Sequence, residues 1–378
     1  MEVETFVPLM QRSKGFDELK KLIVDSGLCS RCGTCAAFCE RLEMKEHGPE
    51  LARECVMELD AIKCGDMGTC YDSCPILSFS QTELDEKVFG EGRNDKVLGT
   101  YKKIVAVKSK MPEILEKSQD GGAVTALLLC ALEEKVVEGA VVASRSDDWN
   151  PEVNLVHDRE TLLASVGTKY SSTPSVTTFG RSMNRHRKLA LVGTGCQIVG
   201  ARQSEHSTLK VLIDKKKNSE NPFNILTIGL FCYENFVYSK FKAKVEEEFG
   251  IKLGDIVKND IIKGKVIINT KDGKAHIKPV TVFNDIVEDC CKLCEDFTAS
   301  FADLSVGSVG SGDDWSTVIV RSDKGLELLE KATTKGYVEV KEDAKPEIIK
   351  KTEASKEKKR LSTREKIEKE GAYLPSYS

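Results

Sequence analysis

Cysteine spacing is the strongest chemical signal in this 378-residue sequence, which contains 14 cysteines. Eight of them fall between Cys29 and Cys74, and the other six are scattered from Cys130 to Cys294. Disulfides are rare in reducing compartments, so clustered cysteines there are typical of metal ligands or redox centres. The uneven distribution predicts two separate kinds of site.

The first compact run contains Cys29, Cys32, Cys35 and Cys39 in the spacing C-x2-C-x2-C-x3-C. In two-cluster ferredoxins this spacing wraps three thiolates around one cubane and sends the fourth to a second cluster. A structural zinc site is the alternative, but zinc rarely requires a third and a fourth cysteine so close together. We therefore predict iron–sulfur ligation for this run.

The second run repeats the template with one substitution. Three cysteines keep their expected places: Cys64, Cys70 and Cys74. Met67 occupies the position of the remaining cysteine, and its neutral thioether is a poor substitute for a thiolate. Cys55 is the nearest upstream thiol and is the predicted replacement. The alternative is a buried Cys55 on a helix Leu51–Leu59, beside a three-iron cluster or with no second cluster.

The crossover rule of two-cluster ferredoxins distributes these ligands between two sites. One [4Fe–4S] cluster is expected on Cys29, Cys32, Cys35 and Cys74, and the other on Cys39, Cys55, Cys64 and Cys70. Glu40, where such a run usually has proline, is a further departure from the template.

A third set of cysteines is dispersed along the second half of the chain. Cys196 and Cys232 each follow a predicted buried strand, and Cys291 and Cys294 form a close pair. The carboxyl ends of parallel strands are where ligands gather in an α/β sheet. Each cysteine alone is equally consistent with a buried structural thiol, so spacing by itself leaves a metal site and a structural role open.

Hydrophobic periodicity indicates the elements that must position these residues. From Tyr101 onward strands alternate with helices, as in an α/β fold with parallel strands. An Asp-Gly pair between two alternating segments predicts a hairpin. The predicted strands are Lys103–Val107, Val136–Ala143, Lys188–Val192, Ile225–Phe231, Lys265–Asn269 and His276–Val280, and the main predicted helix is Ala123–Leu132.

Composition limits the function classes. Hydrophobic residues make up 40% of the chain and the net charge is −4, so general binding of nucleic acids is not expected. The N-terminus lacks a signal-peptide pattern, and the longest apolar runs, Ala123–Leu132 and Ile225–Cys232, are too short for a bilayer span. We expect a cytoplasmic protein without a transmembrane segment, either free or docked on the inner face of a membrane complex.

Six segments resemble one known family in content and in order: the β-subunits of coenzyme F420-reducing hydrogenases and dehydrogenases. They are Ser118–Leu128, Gly167–Tyr170, Gly195–Gln197, Gly229–Cys232, Cys291–Thr298, and Ala302–Gly310 with Trp315–Thr317. With its cysteine-rich N-terminus the chain is most similar to the F420H2-oxidising subunit of archaeal F420H2 dehydrogenases. Gly195, where proline is usual, and Gly312-Asp313, in place of a Pro-Asp-Gly turn, depart from the family.

The resemblance implies a noncovalent FAD in the α/β body and a [4Fe–4S] cluster on Cys196, Cys232, Cys291 and Cys294. It also implies coenzyme F420 as substrate, docked against the flavin ring, and partner redox subunits or ferredoxin as electron carriers. A flavin exchanges both hydride and single electrons, so it would stand between the deazaflavin and the two or three clusters. No catalytic acid or base is assigned, because hydride transfer depends on orientation.

The candidate cofactor-binding residues are the polar and glycine positions of the matching segments. They are Ser118, Gln119, Asp120, Gly121, Gly122, Thr125, Gly167, Thr168, Lys169, Tyr170, Gln197, Gly307, Ser308, Val309, Gly310 and Trp315. A Gly-Gly pair before a helix lets backbone N–H groups approach an anion or a flavin. Lys169 is either a phosphate partner or a solvated charge. The basic stretch from Arg181 to Lys188 either steers coenzyme F420 or is a solvent-exposed segment that leads into the next strand.

The expected fold is an α/β body that binds FAD and an iron–sulfur cluster, preceded by a small α+β ferredoxin-like two-cluster domain. The predicted boundaries are 1–85 for the ferredoxin-like domain, 86–100 for a linker, 101–180 and 181–340 for the two parts of the body, and 341–378 for a charged tail. Two other function classes stay open: an electron-transfer adaptor without flavin, and a flavin reductase of another substrate.

Overall fold

The computed structural model describes residues 15–37, 39–55, 68–183, 185–206 and 224–377. Cys64 and Met67, both predicted at the second cluster, lie outside these residues. A cysteine-rich module at the N-terminus packs against a larger α/β body. The module contains helix Phe16–Leu19 with a π-helical extension Lys20–Val24, short helices Thr34–Ala37 and Thr69–Asp72, and an antiparallel hairpin of β1 (Leu42–Lys45) and β2 (Gly48–Leu51).

The body is organised around an eight-stranded mixed sheet. Its strands are β3 (Lys103–Ser109), β4 (Gly139–Arg145), β5 (Pro151–Val156), β6 (Lys188–Thr194), β7 (Asn224–Leu230), β11 (Leu304–Gly307), β12 (Ser316–Val320) and β13 (Val338–Lys341). Their order across the sheet is β13-β3-β12-β11-β7-β6-β4-β5. The central strands β4, β6, β7 and β11 are parallel, and the outer pairings are antiparallel.

Helices pack on both faces of the sheet and against the segments beside it. They are Gln81–Phe89, Pro112–Lys117, Ala123–Glu133, Arg159–Ala164, Ser175–Ser182, Gly195–Glu205, Tyr238–Phe249, Asp323–Thr334 and Pro346–Glu370. Helix Ala123–Glu133 is apolar on every side and buries Leu127, Leu129 and Cys130 completely, as expected for a helix enclosed by other elements. Cys130 is therefore part of the core.

A second, three-stranded antiparallel sheet lies beside the main one. It contains β8 (Ile256–Ile262), β9 (Lys265–Thr270) and β10 (Ala275–Pro279), followed by a 3-10 helix Val280–Ile286. The hairpin predicted from the Asp-Gly pair is confirmed: β9 and β10 pair, and Gly273 at the turn has a φ of 80°. The small sheet closes over one side of the body.

The module and the body are tightly joined. A Cβ on Gly200 of the body would lie 2.1 Å from Oγ1 of Thr34 in the module, so only glycine permits this approach. Arg31 of the module forms a buried ion pair with Glu288 of the body. The two cysteine-bearing regions are thus held in a fixed relation.

The structure defines two segments more closely than the sequence does. The predicted linker 86–100 begins inside helix Gln81–Phe89 and buries Leu98 completely in the body. The charged tail forms the 25-residue helix Pro346–Glu370, which buries Ile349 and Lys356. The residues of the predicted linker contain too few apolar side chains for periodicity to reveal that this segment is docked.

Candidate functional site

A cleft of about 800 Å³ opens at the carboxyl ends of the parallel strands. The ends of β4, β6, β7 and β11 form its floor, helix Ala123–Glu133 begins at one wall, and the small sheet forms another. This is the edge of an α/β sheet at which ligands bind, and the volume is that of a typical cofactor pocket.

Most of the candidate cofactor-binding residues line this cleft. Those that do are Ser118, Gln119, Asp120, Gly122, Thr125, Gly167, Thr168, Lys169, Tyr170, Gln197, Gly307, Ser308 and Val309. The parallel topology brings together segments that are almost 190 residues apart in the chain, as the hydrogen bond from the Ser308 hydroxyl to the Asp120 carboxylate illustrates.

Three candidates lie outside the cleft. Gly121 fits between β3 and β12, where an added Cβ would lie 2.5 Å from the Val107 carbonyl oxygen. Trp315 carries the ammonium of Lys341 3.9 Å from its ring centroid, away from the cleft lining. Gly310, with φ of 106°, packs against Ile349 of the C-terminal helix. Each of the three residues has a structural role in this arrangement.

Gly122 shapes one end of the cleft. Its φ of 68° ends the preceding loop in the left-handed region, and helix Ala123–Glu133 starts immediately afterwards. Val124 and Thr125 in the first helical turn line the cleft. The unpaired backbone N–H groups and the helix dipole make this end suitable for a phosphate or a flavin edge.

Gln119 ties the cleft to the small sheet. Its side-chain oxygen accepts hydrogen bonds from the Tyr170 hydroxyl at 2.7 Å and from the Thr168 hydroxyl at 3.1 Å. Its nitrogen donates to the Ile261 carbonyl at 3.2 Å, and the Ile261 N–H donates to the Tyr170 oxygen at 2.7 Å. The polar side chains are therefore preorganised by each other.

Lys169 has a half-buried side chain on the cleft wall. Its ammonium donates to the carbonyl oxygens of Ser165 and Gly167, the latter at 2.8 Å. Burial, with the charge of nearby Arg145, lowers the pKa of Lys169 to about 7. The two backbone hydrogen bonds distinguish Lys169 from a freely solvated surface charge, and its role as a phosphate partner stays a prediction. A bound anion would stabilise its protonated form.

The basic stretch from Arg181 to Lys188 lies elsewhere. Lys188 begins β6, at the opposite end of the strand from the cleft, and Arg181 donates to the Leu42 carbonyl of the module at 3.3 Å. The stretch does not line the cleft. Its predicted role in steering coenzyme F420 is not supported by this position.

The four dispersed cysteines converge at one end of the cleft. Cys196 and Cys232 line both the cleft and a smaller cavity, which Cys291 and Cys294 also line. Cys291 belongs to the 3-10 helix Asp289–Leu293, and Cys294 follows it directly. The cysteines are free thiols, and burial raises the pKa of Cys196 to about 12. Burial therefore favours the neutral thiol of Cys196, and a bound metal would stabilise its thiolate form.

Two of the four sulfur atoms have hydrogen-bond donors close to them. The Asn235 N–H and the Lys356 ammonium lie 3.4 Å from the sulfurs of Cys291 and Cys294, respectively. The thiol of Cys290 donates to Cys291 and lowers the pKa of Cys291 to about 7. Donors aimed at sulfur are typical of iron–sulfur ligation.

The module places a second set of thiols next to this one. Cys29, Cys32, Cys35, Cys70 and Cys74 lie close enough for their thiolates to repel one another, and burial, the largest effect, raises the pKa of Cys35 and Cys74. The charge of Cys32 also reaches Cys196 of the body. Cys39, Cys55 and Cys70 pack against the same apolar cluster of the module. The assignment of Cys55 stays a prediction, because Cys64 is outside the described residues.

Unpartnered hydroxyls support a fit between these thiols and a cluster. The buried hydroxyl oxygens of Ser30 and Ser73 have no hydrogen-bond partner among the described residues, and each is adjacent in sequence to a cluster cysteine. Cluster sulfides would accept their hydrogen bonds. Among the described residues no group of three or more His, Cys, Asp or Glu is arranged to hold a metal ion. A cubane holds its thiolates farther apart than a single ion does.

The helix Leu51–Leu59, which belonged to the alternative interpretation of Cys55, is not observed as far as the structure describes it. β2 ends at Leu51, and a bend and an irregular segment follow to Cys55. The Leu51–Leu59 helix expectation is therefore wrong for residues 51–55, because the hairpin with β1 continues to Leu51.

Fold and site together define a mixed α/β protein with a cofactor-sized cleft that ends at buried thiols. Two stretches match the family described as coenzyme F420 hydrogenase/dehydrogenase beta subunits: residues 104–179 match its N-terminal part, and residues 186–346 match its C-terminal part. The chain belongs to this family, whose members named below are F420-dependent oxidoreductase subunits.

Curated relatives cover either the body or nearly the whole chain. The beta subunit of the coenzyme F420 hydrogenase of Methanothermobacter thermautotrophicus is 38% identical over 70% of this chain and 94% of its own length. One subunit, designated F, of the F(420)H(2) dehydrogenase of Methanosarcina mazei is 29% identical over 86% of this chain and 87% of its own length. The coenzyme F420-dependent sulfite reductase of Methanocaldococcus jannaschii is 32% identical over 94% of this chain, but over only 53% of its own length.

A solved structure shows the same fold. A chain of the F420-reducing NiFe hydrogenase complex from Methanosarcina barkeri is 34% identical, with a TM-score of 0.64, over 72% of this chain and 94% of that chain. In the part of the chain that the structure describes, no helix is both long enough and apolar enough to cross a membrane.

Proposed function

We propose that this protein exchanges hydride between coenzyme F420 and a noncovalently bound FAD, and passes electrons singly through iron–sulfur clusters. The observation that carries the proposal is the continuity of the two sites: Cys196 and Cys232 line the same cleft as the predicted flavin-binding residues. A ligand in the cleft would therefore touch the cluster site directly.

Side chains of the cleft are suited to hold FAD. The N-terminus of helix Ala123–Glu133 and the Lys169 ammonium would bind its phosphates, since both stabilise anions. Gln119 and Tyr170, held by their mutual hydrogen bond, would fix the orientation of the ring system. Bound flavin exchanges hydride with a deazaflavin and single electrons with clusters, chemistry that the side chains here lack.

The chain itself supplies orientation and exclusion of water. The small sheet covers one side of the cleft, where Lys258 donates to the Ser118 carbonyl at 2.7 Å and joins β8 to the cleft wall. No side chain is needed as a proton donor in hydride transfer, because the rate depends on how the two rings are positioned.

Electrons would leave or enter through the module. The body thiols lie next to Cys32, and the outer set of Cys39, Cys55 and Cys70 lies on the module. Partner redox subunits or a ferredoxin would dock there, with the protein cytoplasmic or on the inner face of a membrane complex.

In an alternative form of the proposal, the electrons pass to an enzyme that reduces another substrate. Nearly the whole chain matches about half of an F420-dependent sulfite reductase, which is the observation that favours an electron-input unit for such an enzyme. A flavin-free adaptor is less consistent with the structure, since it would not require a cofactor-sized cleft.

The test is an anaerobic assay of F420H2 oxidation with an artificial acceptor, combined with acid precipitation of the purified protein. We expect flavin in the supernatant and F420H2 oxidation that depends on the protein. Absence of released flavin would contradict the flavoprotein assignment. Flavin with oxidation of NADH or NADPH but not of F420H2 would instead support a reductase using another donor.

A further inference from the structure

The C-terminal helix Pro346–Glu370 begins where the family match ends, at residue 346. It nevertheless packs against the 3-10 helix that carries Cys291. Two ion pairs fix it there: Lys359 with Glu234 at 2.6 Å and Arg360 with Glu295 at 2.7 Å. Each carboxylate is near a body cysteine in sequence, so the helix is fastened to both cysteine loops.

Lys356 lies about one helical turn before Lys359 and Arg360 and faces inward. Only 4% of its surface is exposed, although most lysines of the helix are in solvent. Its ammonium donates to the Cys232 carbonyl at 2.9 Å, the Asp296 carbonyl at 2.9 Å and the Cys294 sulfur at 3.4 Å. These contacts use all three of its N–H donors.

This bonding pattern gives the buried ammonium no carboxylate as a direct hydrogen-bond partner. The three acceptors are two neutral carbonyl oxygens and a sulfur atom, and none of them is a carboxylate. Burying an ammonium without a counter-charge is costly. The thiolates of a bound cluster would place negative charge next to the ammonium, at Cys294. The nearby carboxylates of Glu353 and Asp296 would also help to neutralise the ammonium.

We infer that Lys356 is a positioning residue that raises the reduction potential of the cluster held by Cys196, Cys232, Cys291 and Cys294. This inference rests on the proposed function, because it takes that cluster as bound. Reduction adds negative charge to the cluster, and a fixed cation in a low-dielectric site stabilises the reduced form. The body cluster is thereby tuned to accept electrons from the cleft.

The test is an EPR-monitored redox titration of the anaerobically purified full-length protein. Lys356→Met removes the charge while keeping a side chain of similar length, and Lys356→Arg keeps the charge. Lys358→Met, at an exposed position on the same helix, makes the same change in net charge in solvent. The body signal is assigned as the one that Cys232→Ser abolishes.

We expect Lys356→Met to lower the reduced-to-oxidised ratio of the body cluster at least tenfold at fixed potential, which is about 59 mV for a one-electron couple. Lys356→Arg and Lys358→Met should stay close to wild type. An unchanged potential in Lys356→Met, or an equal shift in Lys358→Met, would overturn the inference. Loss of the cluster in Lys356→Met together with a shifted potential in Lys356→Arg would also overturn it, since the role would then be structural.

If the proposed function itself is wrong, the EPR titration gives a different result. Wild-type protein would then contain no iron–sulfur signal sensitive to Cys232→Ser, whatever residue occupies position 356. An unchanged potential in a protein that does show this signal contradicts only the role of Lys356.

Discussion

Thr194 at the end of β6 and Leu230 at the end of β7 are register partners in adjacent parallel strands. Cys196 and Cys232 each follow two residues later. The hydrogen-bond register of the sheet therefore places both thiols at the same edge, beside the cleft. This relationship supports the proposal that flavin and cluster are neighbours.

Replacing one of these thiols should remove a cluster but leave the flavin. We expect Cys232→Ser to lose about four irons per chain, the content of one cubane, with acid-released flavin unchanged. Iron analysis and flavin absorbance measure the two quantities. Cys130→Ser is the matched control, because Cys130 is a buried thiol inside helix Ala123–Glu133 and no predicted ligand. Equal iron in both variants would refute the ligand assignment.

Cys55 is predicted to complete the second cluster of the module. We expect Cys55→Ala to reduce the iron content from about twelve per chain toward about eleven or eight. Low-temperature EPR should then show a new signal from an oxidised three-iron cluster. If iron content and spectrum match those of the wild type, Cys55 is not a ligand.

Gly122 should be required for flavin binding beyond its effect on stability. In Gly122→Ala the left-handed φ of 68° is retained at a cost of about 1–2 kcal/mol, and the new Cβ would lie 2.7 Å from Ile114 Cγ2. Gly250→Ala is a matched control with φ of 67° and open space around the new Cβ. Both variants should melt earlier, but only Gly122→Ala should lose flavin; equal flavin contents would contradict the placement.

FAD affinity should depend on pH through Lys169. Its pKa of about 7 in the ligand-free protein means that the ammonium is charged below pH 7 and increasingly neutral above it. Binding an anion favours the charged form, so binding takes up a proton above pH 7. Affinity should be constant below pH 7 and fall by up to about tenfold per pH unit above it.

Titrations of flavin-free protein with FAD between pH 6 and pH 9 measure this dependence. Lys169→Met should bind more weakly at pH 6 and show little change with pH, because the titrating group is gone. A wild-type affinity that does not change over this range would show that Lys169 is not a partner of the anion.

Local sequence patterns predicted the parts of the fold that depend on local periodicity. The strand Lys188–Val192 and the helix Ala123–Leu132 are found within two residues of their predicted bounds. Strand Val136–Ala143 was shifted, because the turn after helix Ala123–Glu133 occupies its first residues and β4 begins at Gly139.

Contacts between distant segments could not be predicted in this way. Lys356 is one of many lysines in a charged segment, and only the packing of the C-terminal helix distinguishes it. Gly121 and Gly122 are adjacent in sequence, yet one packs into the sheet and the other lines the cleft. Spacing identified the cysteines, whereas the three-dimensional fold decides which of them meet.

The central claim is that hydride enters at the cleft and electrons leave through the body cysteines. The most direct measurement mixes F420H2 anaerobically with wild-type and Cys232→Ser protein, and follows flavin absorbance and freeze-quenched EPR spectra. The account predicts flavin reduction in both proteins, with reduced module clusters appearing only in the wild type. Module clusters reduced equally fast in Cys232→Ser, or no flavin reduction by F420H2 in the wild type, would contradict it.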